Sequence, residues 1–163
     1  SAWETLNLLP WFYPQSWVLK RELLKIPVFG WGLARLEPIA IDRSAGREAL
    51  RQVIRQGRER LAQGHWVVIF PEGTRMNPGK RGRYQQGGAL LACQSGVSVT
   101  PVAHNAGEHW PRLGIRLVPG TINVEIGPAI PTAGRTPAAV NHDVETWIES
   151  TMERLTDPRY RDC

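Results

Sequence analysis

The chain of 163 residues carries 20 Lys and Arg against 15 Asp and Glu, a net charge of +5, with 42% apolar residues. That length and composition suit one domain with a real core and exclude a disordered chain, and no apolar run approaches the roughly 18 residues of a membrane-spanning helix. The basic balance favours phosphate-bearing partners or an anionic membrane surface.

In chain order, Ser16 to Leu19 reads as a short strand, and "KRELLKIP" has helical composition stopped by Pro27. "FGWGLARL", with two glycines, begins as a short helix or turn. Pro38 to Ile41 is a second buried strand that exits onto Asp42 and Arg43. Leu50, Val53, Ile54 and Leu61 recur at helical spacing, with Ser44 as the N-cap and Gly64 as the C-terminal stop. Trp66 to Phe70 is a third strand, apolar throughout, as expected when helices cover both faces. A long, polar, basic loop runs from Pro71 to Gln86. Gly87 to Ser95 then reads as a helix, Val97 to Ala103 as a strand, Ile115 to Val118 and Asn123 to Ile126 as a later strand pair, and Ala138 to Leu155 as a final helix. Pro128 to Pro137 is a connector. Strands alternating with helices predict an α/β domain with a mostly parallel sheet flanked by helices.

Charge is unevenly spread. Ser44 to Gln63 holds five Arg against two Glu, Glu72 to Arg83 four cations against one Glu, and Thr136 to Cys163 three Arg against six acids. An ordinary solvated helix face accounts for much of the first cluster. Cys93 and Cys163 are too few and too far apart in sequence for a metal site or a disulfide framework, which points to a reducing compartment, and Cys93 in "GALLACQ" reads as core. His104, at the end of an apolar strand, reads as a satisfied structural residue.

The chemistry concentrates where strands end. In open parallel sheets, ligands bind beyond the carboxyl ends of the strands. Asp42 and Arg43 follow one strand; Glu72, Gly73, Thr74 and Arg75 follow another. A guanidinium suits a phosphate monoester because its planar fork donates two parallel charge-assisted hydrogen bonds. Gly73 allows close backbone approach and Pro71 stiffens the entry to the turn. The competing reading is an ordinary β-turn with Arg75 as a surface charge.

"FPEGTR", residues 70 to 75, resembles the signature hexapeptide of the glycerolipid acyltransferase family, which includes the 1-acylglycerol-3-phosphate acyltransferases. "LARLEPIAIDR" (33 to 43), "KRELLKIPVFGWG" (20 to 32) and "VTPVAH" (99 to 104) are similar to other blocks of the same family, in the same order. The resemblance implies a glycerol-3-phosphate acyltransferase-like fold over residues 1 to 163 as a single domain. It implies Glu4 as the acid that orients and charges a catalytic histidine, and Arg43, Glu72, Gly73, Thr74 and Arg75 as the acceptor-phosphate site. In that register the histidine sits two positions before Ser1, so the domain is expected to be N-terminally incomplete, with the histidine and any membrane anchor upstream. The alternative for Glu4 is an exposed acid at a helix start. Lys20, Arg81 and Arg83 are weaker candidates for the donor's phosphates, with surface roles as the alternative.

The implied reaction moves a fatty acyl group from acyl-CoA or an acyl-carrier protein to lysophosphatidate, giving phosphatidate, with no metal or bound cofactor. The alternatives are another lysophospholipid or glycerol 3-phosphate as acceptor, or a non-catalytic phospholipid-binding relative. Trp11, Phe12, Tyr13 and Trp17 fit either a lipid interface or core packing. The expected setting is the cytoplasmic face of a bacterial inner membrane. No nucleic-acid partner is expected, because the cations cluster around one turn instead of forming a long basic stripe.

Overall fold

The computed structural model describes residues 3–110 and 117–160. In chain order the helices are α1 (Trp3–Asn7), α2 (Phe29–Ala34), α3 (Arg47–Ala62), α4 (Gly87–Ser95), α5 (Ala106–His109) and α6 (Pro137–Leu155). The strands are β1 (Gln15–Lys20), β2 (Ile39–Ile41), β3 (Trp66–Val68), β4 (Val102–His104) and β5 (Val124–Ile126). They form two compact units: Leu9–Phe70, and a second made of Ser1–Leu8 with Pro71–Cys163.

The unit Leu9–Phe70 is built on a parallel sheet in the order β2-β1-β3. Its central strand divides its partners by length: Gln15, Ser16 and Trp17 pair with Trp66, Val67 and Val68, while Val18, Leu19 and Lys20 pair with Ile39, Ala40 and Ile41. The parallel sheet flanked by helices is therefore present, with α3 packed on β2 and β3. "KRELLK" makes a 3-10 helix, Arg21–Lys25, in place of an α-helix.

The helix α3 differs from its apolar pattern in an informative way. Its buried positions are Ala49, Val53 and Gly57, four residues apart, whereas Leu50 is 38% exposed. Small side chains let the helix approach β2 closely enough for amide contacts. Gln56 accepts from Ala40 N–H at 3.2 Å and donates to Ala40 C=O at 3.2 Å, and Gln52 accepts from Asp42 N–H at 3.3 Å. These amides occupy backbone groups that an edge strand otherwise leaves open. The N-terminus also differs from expectation. Asp42, not Ser44, does the capping: its Oδ1 accepts Ser44 N–H at 2.9 Å at the start of a 3-10 turn, Arg43–Ala45, and Gly46 takes the N-cap of α3. The Ser44 hydroxyl donates to the same oxygen and is the largest reason the Asp42 carboxyl sits below its usual range, followed by the Ser44 N–H. Gly64 ends the helix as predicted, at φ +81° with its N–H bonded to Leu61 C=O at 3.0 Å.

β3 is shorter than the apolar run suggests. It pairs only with β1, so it lies at the sheet edge, and Trp66 and Phe70 stay 45% and 37% exposed. Continuous apolar character here reflects aromatic packing, not burial on both faces: Phe12 meets Trp66 edge-on at 5.1 Å between centroids, and Trp17 meets Phe70 at 5.7 Å. The aromatic cluster accordingly divides, with Phe12 and Trp17 buried and Trp11 and Tyr13 exposed.

In the other unit β4 pairs antiparallel with β5, Val102 opposite Ile126 and His104 opposite Val124. The predicted partner of Asn123 to Ile126, Ile115 to Val118, lies partly outside the described residues, and its described part, Leu117 and Val118, forms no strand. Only Val102 onward forms the strand, Val99 contributing a single bridge to Ile130. α6 packs against α4 and β4, burying Val140, Val144 and Thr151. Thr136 caps it, its Oγ1 accepting Ala139 N–H at 3.2 Å with Pro137 in the first turn. At its other end the Arg154 guanidinium forks onto Glu125 of β5 at 3.1 and 3.0 Å. Among the described residues no helix is long and apolar enough to cross a membrane.

Candidate active site

The turn begins at Pro71, three residues after β3 ends. Pro71 C=O accepts Gln85 N–H at 2.7 Å, which closes the basic loop on itself. Gly73 sits at φ +66°, a conformation that a side chain would strain. Thr74 and Arg75 are exposed, and among the described residues no carboxylate pairs with Arg75, Lys80 or Arg83. Glu72 differs from its neighbours. It is partly buried, and burial pushes its carboxyl above the usual range, with the negative charge of Glu149 adding to the effect. The turn therefore offers an open guanidinium and hydroxyl beside a partly buried acid.

Glu4 lies in the first turn of α1 and is only 3% exposed, so the reading of an exposed helix-start acid does not hold. Its neighbour Trp3 packs its ring against His104 at 6.0 Å between centroids. His104 Nδ1 accepts Ala106 N–H at 3.3 Å, which leaves the proton of the neutral ring on Nε2. Burial holds the imidazole below its usual range while the charge of Glu4 opposes that shift. The structural role expected for His104 is thus filled, with a buried acid as its electrostatic neighbour.

Arg43 follows β2 by two residues and opens the turn Arg43–Ala45 in the unit Leu9–Phe70; its side chain lies outside the described residues. Lys20 ends β1, exposed, in that same unit. Arg81 is committed elsewhere, with Nε 2.7 Å from Glu149 Oε2 and Nη2 2.8 Å from Glu153 Oε1. Two residues that the motifs did not single out stand behind the turn. Tyr84, 7% exposed, donates its hydroxyl to Glu149 Oε1 at 2.9 Å, and Glu149 takes Arg81 on its other oxygen. The signal available for them was the charge asymmetry between the basic loop and the acidic C-terminal stretch. Among the described residues no cluster of His, Cys, Asp and Glu could hold a metal ion.

A sequence model of the acyltransferase family matches residues 6–105, more than half the chain and all of the turn. This chain belongs to the acyltransferase family. The chain is 49% identical over 164 residues to the 1-acyl-sn-glycerol-3-phosphate acyltransferase of Pseudomonas aeruginosa, covering 99% of this chain and 64% of that protein. It is 29% identical over 130 residues to the human 1-acyl-sn-glycerol-3-phosphate acyltransferase beta, covering 79% of this chain and 47% of the human one. Among solved structures it is similar to the 1-acyl-sn-glycerophosphate acyltransferase PlsC of Thermotoga maritima, with a TM-score of 0.75 and 27% identity over 91% of this chain and 60% of that one. The chain thus spans less than two thirds of the length of these relatives.

Proposed function

We propose that this chain is the core of an enzyme that transfers a fatty acyl group from an acyl thioester, on CoA or an acyl-carrier protein, to lysophosphatidate, giving phosphatidate. The observation that carries the reading is Arg75, exposed and without a carboxylate partner among the described residues, on a turn whose acid is partly buried. Relatives named for 1-acyl-sn-glycerol-3-phosphate support the same acceptor. In this reading Arg75 and Thr74 hold the acceptor phosphate, Gly73 brings backbone close, and Glu72 orients the guanidinium or an acceptor hydroxyl. Arg43 is proposed as an acceptor-phosphate residue on the family resemblance alone.

The free acceptor hydroxyl loses its proton to a histidine upstream of Ser1 as its oxygen attacks the thioester carbonyl carbon. The carbon–sulfur bond then breaks and the thiol leaves with a proton. Glu4 orients that histidine and stabilises its charged form. Exposed Trp11 and Tyr13, together with the basic net charge, support action at an anionic membrane surface, the cytoplasmic face of a bacterial inner membrane.

The test is thiol release from a long-chain acyl-CoA by the parent chain with its upstream residues, in the presence of lysophosphatidate, glycerol 3-phosphate or no acceptor. Release that depends on lysophosphatidate is expected. Saturable lysophosphatidate binding with no release from acyl-CoA or acyl-acyl-carrier protein would replace the enzyme with a lipid-binding protein.

A further inference from the structure

We infer that Glu149 of α6, acting through Arg81 and Tyr84, is a positioning residue for the acceptor-phosphate turn. The inference rests on the proposed acceptor site and extends it to a helix outside the matched family segment, residues 6–105.

Both oxygens of Glu149 are engaged. Oε1 accepts the Tyr84 hydroxyl at 2.9 Å and Oε2 lies 2.7 Å from Arg81 Nε, while the Glu149 side chain is only 15% exposed. Arg81 and Tyr84 are three residues apart in the loop, so a single carboxylate pins the segment 81–84 at both ends. Between the two anchors sits Gly82. A methyl group there would stand 3.1 Å from Glu72 Cγ and 3.1 Å from Met76 Sδ, tighter than ordinary contact, so the pinned backbone runs directly against the turn. One residue past Tyr84, Gln85 N–H holds Pro71 C=O at 2.7 Å. The turn is thereby braced at its entry by Gln85 and at its acid by Gly82, and both braces hang from the same α6 carboxylate. Glu153, 2.8 Å from Arg81 Nη2, steadies the guanidinium one turn further along α6.

This arrangement separates two kinds of cation in the basic loop. Arg75, Lys80 and Arg83 face solvent with no carboxylate partner among the described residues, whereas Arg81 serves the scaffold. Charge complementarity between the basic loop and the acidic C-terminal stretch is thus used to aim the turn, not to bind substrate.

The experiment measures steady-state kinetics of the parent chain with acyl-CoA and lysophosphatidate for Glu149→Gln, Arg81→Met, the double variant, and Arg75→Ala as a reference. Glutamine keeps an acceptor for Tyr84 and removes only the pairing with Arg81, and Arg81 is 64% exposed, so both variants retain the buried core. Each is expected to raise the lysophosphatidate KM about five- to twentyfold, the range for residues within one hydrogen-bond network, with smaller changes in kcat and in the donor KM. The double variant should match the larger single effect, because both substitutions break one contact. If Arg75→Ala raises the acceptor KM while Glu149→Gln and Arg81→Met leave it unchanged, the inference is overturned and the acceptor site stands. If Arg75→Ala also has no effect, the site and the inference fall together. Equal losses in kcat, both KM values and thermal stability would mark Glu149 as a general structural residue and overturn the inference as well.

Discussion

The indole of Trp3 lies against the imidazole of His104, ring centroids 6.0 Å apart and planes tilted by 48°, beside the buried carboxylate of Glu4. Packing of this kind withholds water from the imidazole, and burial holds its pKa below the ordinary 6.5 despite the opposing charge of Glu4. A histidine whose folded pKa is depressed leaves stability intact above its unfolded pKa and removes it as pH falls through the interval towards the folded value. Thermal stability should therefore decline from pH 7 to pH 5 more steeply in the native chain than in His104→Asn, which keeps an acceptor for Ala106 N–H. Parallel melting curves across that range check this; equal slopes would mean that His104 does not carry the penalty.

Arg75→Ala removes the open guanidinium and leaves no buried group unpaired, so the fold should persist. Loss of a charge-assisted phosphate contact is expected to weaken acceptor transition-state binding by about 1.5 to 3 kcal/mol, seen as a fall of roughly ten- to more than a hundredfold in kcat/KM for lysophosphatidate. Kinetics and a circular dichroism melt on the same preparation separate the two effects.

Glu72 behaves in the opposite sense to His104. Its carboxyl is raised by burial and by Glu149, so its stabilising contribution is full below the ordinary 4.5 and is lost as pH rises through the folded value. Glu72→Gln should then melt higher than the native chain at pH 7 and level with it near pH 4, while acyl transfer falls. A stability gain coupled to an activity loss is the usual mark of a strained functional group. A variant that loses both at pH 7 would place Glu72 in the scaffold alone.

Thr136→Ala deletes the side-chain cap of α6, whose Oγ1 accepts Ala139 N–H at 3.2 Å. Denaturant unfolding should show a loss of about 0.5 to 2 kcal/mol with an unchanged slope.

Sequence pattern was informative where one signal dominated. α4 runs over the predicted Gly87–Ser95 because its apolar run is bounded by glycines, and α6 begins at Pro137, one residue before the predicted Ala138, because Thr136 caps it. The parallel sheet followed from alternation. Pattern was misleading where packing overrode hydrophobicity: α3 turns Ala49 and Gly57 inward and leaves Leu50 out, because proximity to β2 is governed by the Gln52 and Gln56 amides, which no apolar period reports. At the site, the turn lies in one short local motif, whereas Glu4 is named only by the family resemblance and nothing in the sequence signals its burial. Tyr84 and Glu149 are 65 residues apart in sequence, so their hydrogen bond appears only after the chain has folded.

One of the two compact units is continuous in sequence and the other is not: residues 9–70 form one, while residues 1–8 join residues 71–163 in the second. A ribosome extends the chain from its N-terminus at about 5–20 residues per second, and domains complete in the order their segments emerge. The continuous unit can assemble as soon as Phe70 clears the exit tunnel. The segment that carries Glu4 must wait until β4 has been made before His104 and its strand exist to receive it. Birth order thus seats the acid of α1 only after β4 is made, so a product stalled before β4 carries a sheet but no seated Glu4.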